Sequence, residues 1–494
     1  MKPLLRKNLN LYRHGSPVLR YTDLYNRISR TADPAVSMVP ILENWLDEGN
    51  EIKRPELQEI IRQLRKDRRY THALQISQWM TDRVCFNLSP EDAASQLDLI
   101  SKVYGLEEAE KYFSSIPENS RGYRVYSALL NCYAHTKCLE KAGALMEKMK
   151  VLRFIRTPQP YNLMLNLYSQ MGKYEKLDSL MQEMKEKGIK CDFFTFNIRL
   201  NAYVASCDIE GLEGLLMKMK ADPRISMDFH SYAAAANGYL KAGLIEKALT
   251  MLKMSEQLIS SSVNSKRFAY ESLLGLYAAA GKKAEVYRIW NLYKKNGVFS
   301  NVGYVCMISS LLKLDDMAGA ERIWGEWDVG KLLFDIRIPN LMIKAYCSKG
   351  LWEKAEALIN KIVESRMEPN GASWDHMATG YFENGQMTKA VEAIKKAISL
   401  SKPGKKPCLY RVEVCLKYLK GQGDMEAVEE LLKMIKESPF YSTGAYDRLL
   451  SCANREDLTT SGSDQTGDDD RTVGGEPPTA LEYTDKGSTR IMTD

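Results

Sequence analysis

The sequence predicts an all-α protein, an α-solenoid built from stacked helix-turn-helix repeats. Three observations predict it. First, residues 158–192 and 193–228 align as two copies of one unit, 35 and 36 residues long. The copies match at Tyr161-Asn162 and Phe196-Asn197, Asn166 and Asn201, Tyr168 and Tyr203, Leu180 and Leu215, Met184 and Met219, and the closing Asp192 and Asp228. A fixed period of this size marks a repeat architecture. Second, apolar residues recur at three- and four-residue spacing, as Leu163, Leu167 and Tyr168 and then as Leu177, Leu180, Met181 and Met184. That spacing describes two amphipathic helices per unit. Third, Gly172 or Asp208 interrupts the apolar pattern between the helices, and Gly188 or Pro223 follows the second. So small a hairpin cannot bury its apolar face alone and must stack on its neighbours.

Taken in order, residues 1–22 carry Lys2, Arg6, Lys7, Arg13 and Arg20 and no acid, with Leu4, Leu5, Leu9, Leu11 and Tyr12 between them. This is the composition of an organelle transit peptide; a basic disordered terminus is the alternative. Residues 23–53 read as an irregular N-terminal cap around Pro34, Pro40 and the segment ILENWLDEGNEIK. About eleven repeats fill 54–442, beginning with 54–88 and a shorter degenerate unit at 89–122. The best-ordered run is 123–370, within units at 123–157, 158–192, 193–228, 229–266, 267–300, 301–335, 336–370, 371–408 and 409–442. An interhelix packing residue recurs in step as Ala142, Leu177, Leu212, Ala248, Ala320, Ala355 and Ala390. A turn glycine recurs as Gly172, Gly243, Gly281, Gly350, Gly385 and Gly423. A last helix over 443–455 closes the stack. The remainder, 456–494, is polar and acidic, cannot repay the entropy of folding, and reads as a disordered tail.

With 45% hydrophobic residues, the 494-residue chain has material for a large buried core. The ten cysteines show no CxxC and no zinc-like spacing, which reads as reduced thiols. No apolar run approaches a membrane span, so membrane insertion is not expected. The net charge of +6 hides an asymmetry: from Glu456 onward there are ten acidic and three basic residues, so the body carries +13. A basic body suits a polyanionic partner. The segment RQLRKDRR, Arg62 to Arg69, is one place where phosphates could be met.

The period, the aromatic-Asn start, the Met near the end of the second helix and the closing GIKCD or MEPN resemble pentatricopeptide-repeat proteins. With no appended catalytic domain, the chain looks like the P class of plants. LYNRISRTADPAVSMVPILENW and ELQEIIRQLRKDRRYTHALQISQWM resemble the N-terminal region of a mitochondrial subgroup. The resemblance covers roughly 54–455. Peptide-binding tetratricopeptide repeats differ, carrying Trp, Leu-Gly and Tyr early in the first helix where this chain has Asn.

The resemblance implies a right-handed solenoid that reads one RNA base per repeat, through the fifth residue of the unit and its last residue. Carried over, the pairs are Asn162 with Asp192, Asn197 with Asp228, and Asn340 with Asn370. The first two resemble a uridine-preferring combination and the third a pyrimidine one favouring cytidine. Ser127 with Thr157 is polar enough to contribute, with no base assigned. The side chains suit the task because Asn, Ser, Thr and Asp both approach and hydrogen-bond a base edge. Base stacking falls to the second residue of each unit, where Phe194 and the guanidinium planes of Arg124 and Arg337 are suited and Gln159 is not. His230 holds that place in its unit, as a base contact or a surface histidine. Ala233, Glu271, Val305, Asp375 and Glu413 at fifth positions depart from the pattern, and the three acids are expected to repel phosphates. These departures argue against a long, high-specificity footprint.

The five histidines are scattered, with no HExxH, and the paired HxE and PCxxC of a zinc deaminase are absent. No phosphate-binding GxxxxGK[ST] and no GxSxG elbow occurs. The chain therefore reads as no enzyme and needs no cofactor or metal. Two classes remain. One is a sequence-selective binder of single-stranded organellar RNA acting in transcript stabilisation, processing, splicing or translation. The other is a scaffold in an organellar ribosome or RNA-processing assembly, binding protein or structured RNA. The subgroup favours the mitochondrion over the plastid.

Overall fold

The computed structural model describes residues 17–454, apart from 32, 34–35, 84–88, 223–224, 226, 260–262, 298–299, 331–332 and 402–406. Among the described residues there are 25 α-helices, one 3-10 turn and no strand. Most of the leader read at 1–22 lies outside the described residues, as does the tail from 456. Helix Pro17–Arg30 runs across the boundary drawn at residue 22. The helices gather into two compact bodies, one ending at Met227 and the other beginning at Asp228.

In the first body, Leu24, Ile28, Met38, Leu42 and Trp45 of the cap join one core with helices Arg54–Lys66 and Tyr70–Asp82. Arg69 fastens this junction. Its guanidinium donates to the carbonyl of Ile28 at 3.1 Å and to that of Thr31, completing the C-terminus of the first helix. A second core runs from Ala93 to Ala202 through the next hairpins. In both bodies a first helix packs on its own second helix, and most first helices also pack on the first helix of the following repeat.

The repeat numbering explains which residues are interchangeable. From 123 to 442, the residue twentieth in its unit is Ala142, Leu177, Leu212, Ala248, Val286, Ala320, Ala355, Ala390 or Val428, each no more than 2% exposed. Small or medium side chains here let the two helices of a hairpin approach closely. The fifteenth residue, between the helices, is left-handed throughout: six are glycines with φ from 68° to 75°, and the others are Lys137, Cys207 and Asp315 at 55–57°. The geometry closes the first helix with paired bonds, as when Gly172 N reaches Ser169 O at 3.1 Å and Lys173 N reaches Tyr168 O at 2.9 Å.

Helix Val263–Ala279 is the exception to the boundaries, beginning four residues before the unit start at 267. Nothing in the VNSK lead-in breaks a helix, so the helix takes an extra turn. Second helices carry ion pairs one repeat apart: Lys141–Glu110 at 2.8 Å in the first body, and Lys283–Asp316 at 2.8 Å, Lys354–Glu321 at 2.9 Å and Lys395–Glu430 at 2.6 Å in the second. An exposed pair such as Lys354–Glu321 is worth about 0–1 kcal/mol.

His376 lies in the second body, on helix Gly371–Glu383. Burial, then the charges of Lys344 and Arg411, push its imidazole down to about 4.

Two predictions follow from this packing. Gly350→Ala places a Cβ at a left-handed φ of 72° with open space around it, so the penalty is backbone strain alone. It should lower stability by about 1–2 kcal/mol, while Cys207→Gly, at the equivalent turn, should raise it by less, since a new glycine also loosens the unfolded chain. Denaturant melts of both variants check this. For His376, the unfolded chain takes up its proton near the ordinary imidazole value, whereas the folded chain resists until about 4. The unfolded state binds more protons across that window, so stability falls as pH drops from about 6.5 to 4. His376→Gln should flatten this part of the melting temperature against pH.

Candidate nucleic-acid interface

In the 158–192 and 336–370 repeats the fifth residue lies one turn into the first helix, and the last residue is the N-cap of the next first helix. In the 158–192 repeat this brings Asn162 Nδ2 to 3.0 Å from Asp192 Oδ1, to which it donates. Asp192 Oδ1 also accepts from the Thr195 amide at 2.8 Å, capping helix Phe193–Ser206. The Thr195 side chain is fully buried, and its hydroxyl donates to Asn162 Oδ1 at 2.7 Å. Three side chains thus form a closed clamp.

The 336–370 repeat builds the same clamp. Asn340 Nδ2 donates to Asn370 Oδ1 at 3.1 Å, Ser373 N donates to Asn370 Oδ1 at 3.0 Å, and the buried Ser373 hydroxyl donates to Asn340 Oδ1 at 2.7 Å. What each clamp leaves unengaged differs. The Asn162–Asp192 pair keeps one amide N–H and the carboxylate Oδ2; the Asn340–Asn370 pair keeps only amide N–H groups for bonding outward. The hydroxyl at the third position of the following repeat, Thr195 or Ser373, was not legible as part of the site. Its signal is recurrence, since Ser231 takes the same place.

Asn197 is half-buried on helix Phe193–Ser206. Asp228 caps helix Phe229–Lys241, accepting from the Ser231 amide at 2.9 Å and from the Ser231 hydroxyl at 2.9 Å. Ser127 and Thr157 are not joined by a hydrogen bond. Ser127 Oγ is buried without a partner, while Thr157 is exposed and lies 3.2 Å from the Tyr123 hydroxyl.

The 267–300 repeat makes the clamp from other parts. Ser300 Oγ donates to Glu271 Oε1 at 2.9 Å, the same fifth-to-last pairing. The Tyr293 hydroxyl donates to Glu271 Oε1 at 3.1 Å, doing what Thr195 and Ser373 do elsewhere. Gly303 follows from this substitution. A Cβ there would stand 2.4 Å from the Tyr293 hydroxyl, so the third position gives up its side chain to the tyrosine. Burial pushes the Glu271 carboxyl up, against the pull of Ser300, Tyr293 and Arg267.

The other departing positions behave differently. Ala233 and Val305 have no polar side chain to offer. Asp375 takes Arg411 on both oxygens at 2.7 Å, and Glu413 takes Lys417 at 3.1 Å. Their charges are partnered, so they are not the bare acids expected from sequence. Of the candidate stacking groups, Phe194 is 53% exposed and meets Phe193 edge-on at 5.8 Å. Arg124 is exposed and bound to Glu91 at 2.8 Å; Arg337 is exposed and bound to Asp335 at 2.6 Å. His230 meets Phe229 edge-on, and burial lowers its imidazole. Sequence reasoning missed Phe268 and the exposed Tyr410, although repeat numbering alone puts both at second positions. In RQLRKDRR, Arg62 pairs with Glu59, Arg65 with Asp98 and Arg69 with backbone carbonyls, which leaves little of that cluster for phosphates. Among the described residues no group of acids, histidines and cysteines could hold a metal ion, and no helix is long and apolar enough to cross a membrane.

Comparisons with known proteins agree with this architecture. Residues 160–221 match the PPR repeat family, and 124–154, 230–257 and 338–367 match the PPR repeat. A mitochondrial pentatricopeptide repeat-containing protein of Arabidopsis thaliana is 46% identical over 444 residues, 90% of each chain. A second mitochondrial one from that plant is 34% identical over 89% of each chain. The large ribosomal subunit protein mL101 of Arabidopsis thaliana is 43% identical over 84% of each chain. The crystal structure of the pentatricopeptide repeat protein PPR10 in complex with an 18-nt psaJ RNA element shares the fold, with a TM-score of 0.54 at 15% identity; the match covers 89% of this chain and 66% of that one. The chain belongs to the pentatricopeptide repeat family, and its fold is the α-solenoid of that family.

Proposed function

We propose that this protein is a sequence-selective single-stranded RNA-binding protein of mitochondrial RNA metabolism. The observation that carries the reading is the clamp found at both Asn162–Asp192 and Asn340–Asn370, which fixes two polar side chains and leaves part of each open. A base edge is recognised by matched donors and acceptors, and pre-fixing the side chains lowers the entropy lost on binding. The open N–H and Oδ2 of Asn162–Asp192 suit uracil, which presents a carbonyl beside its N3–H. The N–H groups left by Asn340–Asn370 suit the adjacent N3 and O2 acceptors of cytosine. Asn197 and Asp228 carry the same residue types and belong to this reading set. Phe194 supplies a stacking face one turn before Asn197. Arg124 and Arg337 stack once they exchange Glu91 and Asp335 for a base, and Ser127 and Thr157 contribute least.

The protein acts in the mitochondrion, in keeping with relatives that carry that location in their names. It works by occupancy, blocking exonucleases, melting a hairpin or exposing a splice or initiation site. It is not itself an enzyme, a reading supported by the missing catalytic motifs. A second reading makes it a scaffold of the mitochondrial ribosome. The similarity to mL101 and the ion-paired Asp375 and Glu413 at reading positions favour that alternative.

The test is binding of purified protein to a pyrimidine-containing single strand. Asn162→Ala with Asn197→Ala should weaken it, each lost base contact costing about 1–3 kcal/mol by analogy with base readout in DNA. Unchanged affinity would remove these residues from the reading surface.

A further inference from the structure

We propose that the 267–300 repeat reads guanosine through the unengaged carboxylate oxygen of Glu271, with Phe268 as its stacking face. The inference rests on the RNA-binding reading and assigns a base to a repeat that departs from the usual pattern. Its first support is geometric equivalence. Ser300 holds Glu271 at 2.9 Å, as Asp192 holds Asn162 at 3.0 Å and Asn370 holds Asn340 at 3.1 Å. The third member of each clamp is a hydroxyl donating to the fifth residue: Thr195, Ser373 and here Tyr293. The exchange of a small hydroxyl for tyrosine comes with Gly303, the one residue type that leaves the tyrosine room. The repeat has therefore kept the reading geometry while changing every residue that makes it.

The second support is what the clamp leaves open. Every hydrogen bond to the Glu271 carboxylate falls on Oε1, from Ser300 and Tyr293, and Arg267 lies 4.0 Å from that same oxygen. Oε2 stays unengaged among the described residues. The single Ser300 hydroxyl proton goes to Glu271, while its oxygen accepts from the Gly303 amide at 3.1 Å and lies 3.0 Å from the Tyr293 hydroxyl. This repeat presents an acceptor and no donor, the converse of Asn340–Asn370. An oxygen with two lone pairs and no neighbouring donor selects an edge with adjacent N–H groups. Guanine has one, N1–H beside N2–H2, whereas adenine, cytosine and uracil each set an acceptor next to their donor. Phe268 precedes Glu271 by one turn, as Phe194 precedes Asn197; the Arg267 guanidinium lies 5.0 Å from its ring centroid, and a stacked base takes that cation's place on the ring.

Selection from a random single-stranded RNA pool on the full-length protein tests this, with Glu271→Gln run in parallel. The glutamine is isosteric and keeps an oxygen for Ser300 and Tyr293, but turns the open acceptor into a donor; equal melting temperatures confirm that both proteins are folded. Repeats 267–300 and 336–370 flank 301–335, where Val305 offers no hydrogen bond. The selected RNA should therefore carry guanosine and cytidine separated by one unselected nucleotide, with guanosine favoured about tenfold over other bases. The glutamine variant should keep the cytidine and replace the guanosine by a pyrimidine. Selected pyrimidines without that guanosine, or a variant that still selects it, would overturn the assignment and leave the RNA-binding reading standing. No selected sequence at all would overturn both.

Discussion

A hairpin of two short helices cannot bury its apolar face alone, and repeat after repeat of this chain answers that constraint the same way. Each first helix lies against its own second helix and, in most repeats, against the first helix of the next. The repeat spacing is then imposed on everything else. Residues twenty positions into a unit are buried and small or medium, residues fifteen positions in turn left-handed, and lysines on second helices meet acids one repeat away. The clamp is another product of the same stacking. The fifth residue meets the last residue because one helix begins where the preceding repeat ends, with the cap of the second helping to orient the side chain of the first.

The clamp also divides the polar atoms of single residues between the fold and the reading role proposed for them. Asp192 and Asn370 each use one oxygen to cap a helix and hold a partner, which leaves the rest of the group for a ligand. Helix capping by Asp or Asn is worth about 1 kcal/mol, so the proposed reading residues Asp192 and Asn370 are fixed by interactions the fold needs anyway. In the first body Ser127 lacks this arrangement, and its hydroxyl faces inward without a partner. Charge follows a parallel division. Lysines such as Lys283 on second helices meet acids one repeat away, and Asp375 and Glu413 are held by Arg411 and Lys417.

Much of the fold was legible because periodicity acts on every unit at once. Gly172, Gly243, Gly281, Gly350, Gly385 and Gly423 were readable as turns, and all six adopt positive φ. The packing residues Ala142 to Ala390 were readable as core, and they are buried. What escaped depended on contacts between residues that are far apart in sequence or change together. Tyr293 reads alone as another aromatic of a second helix, and Gly303 as a weak helix residue; only their proximity explains both. The ion pairs that hold Arg124 and Arg337 link residues whose types were visible but whose pairing was not. Arg69 looked like surface charge and instead closes a helix end.

Whether the proposed clamps read single-stranded RNA in the mitochondrion is decided by crosslinking the tagged protein to RNA in intact mitochondria and sequencing the bound fragments. One sharp single-stranded footprint, rich in pyrimidines, on a particular transcript is expected of a reading protein. Signal spread across ribosomal RNA, or no crosslinked RNA, would overturn that role and assign the protein to a scaffold.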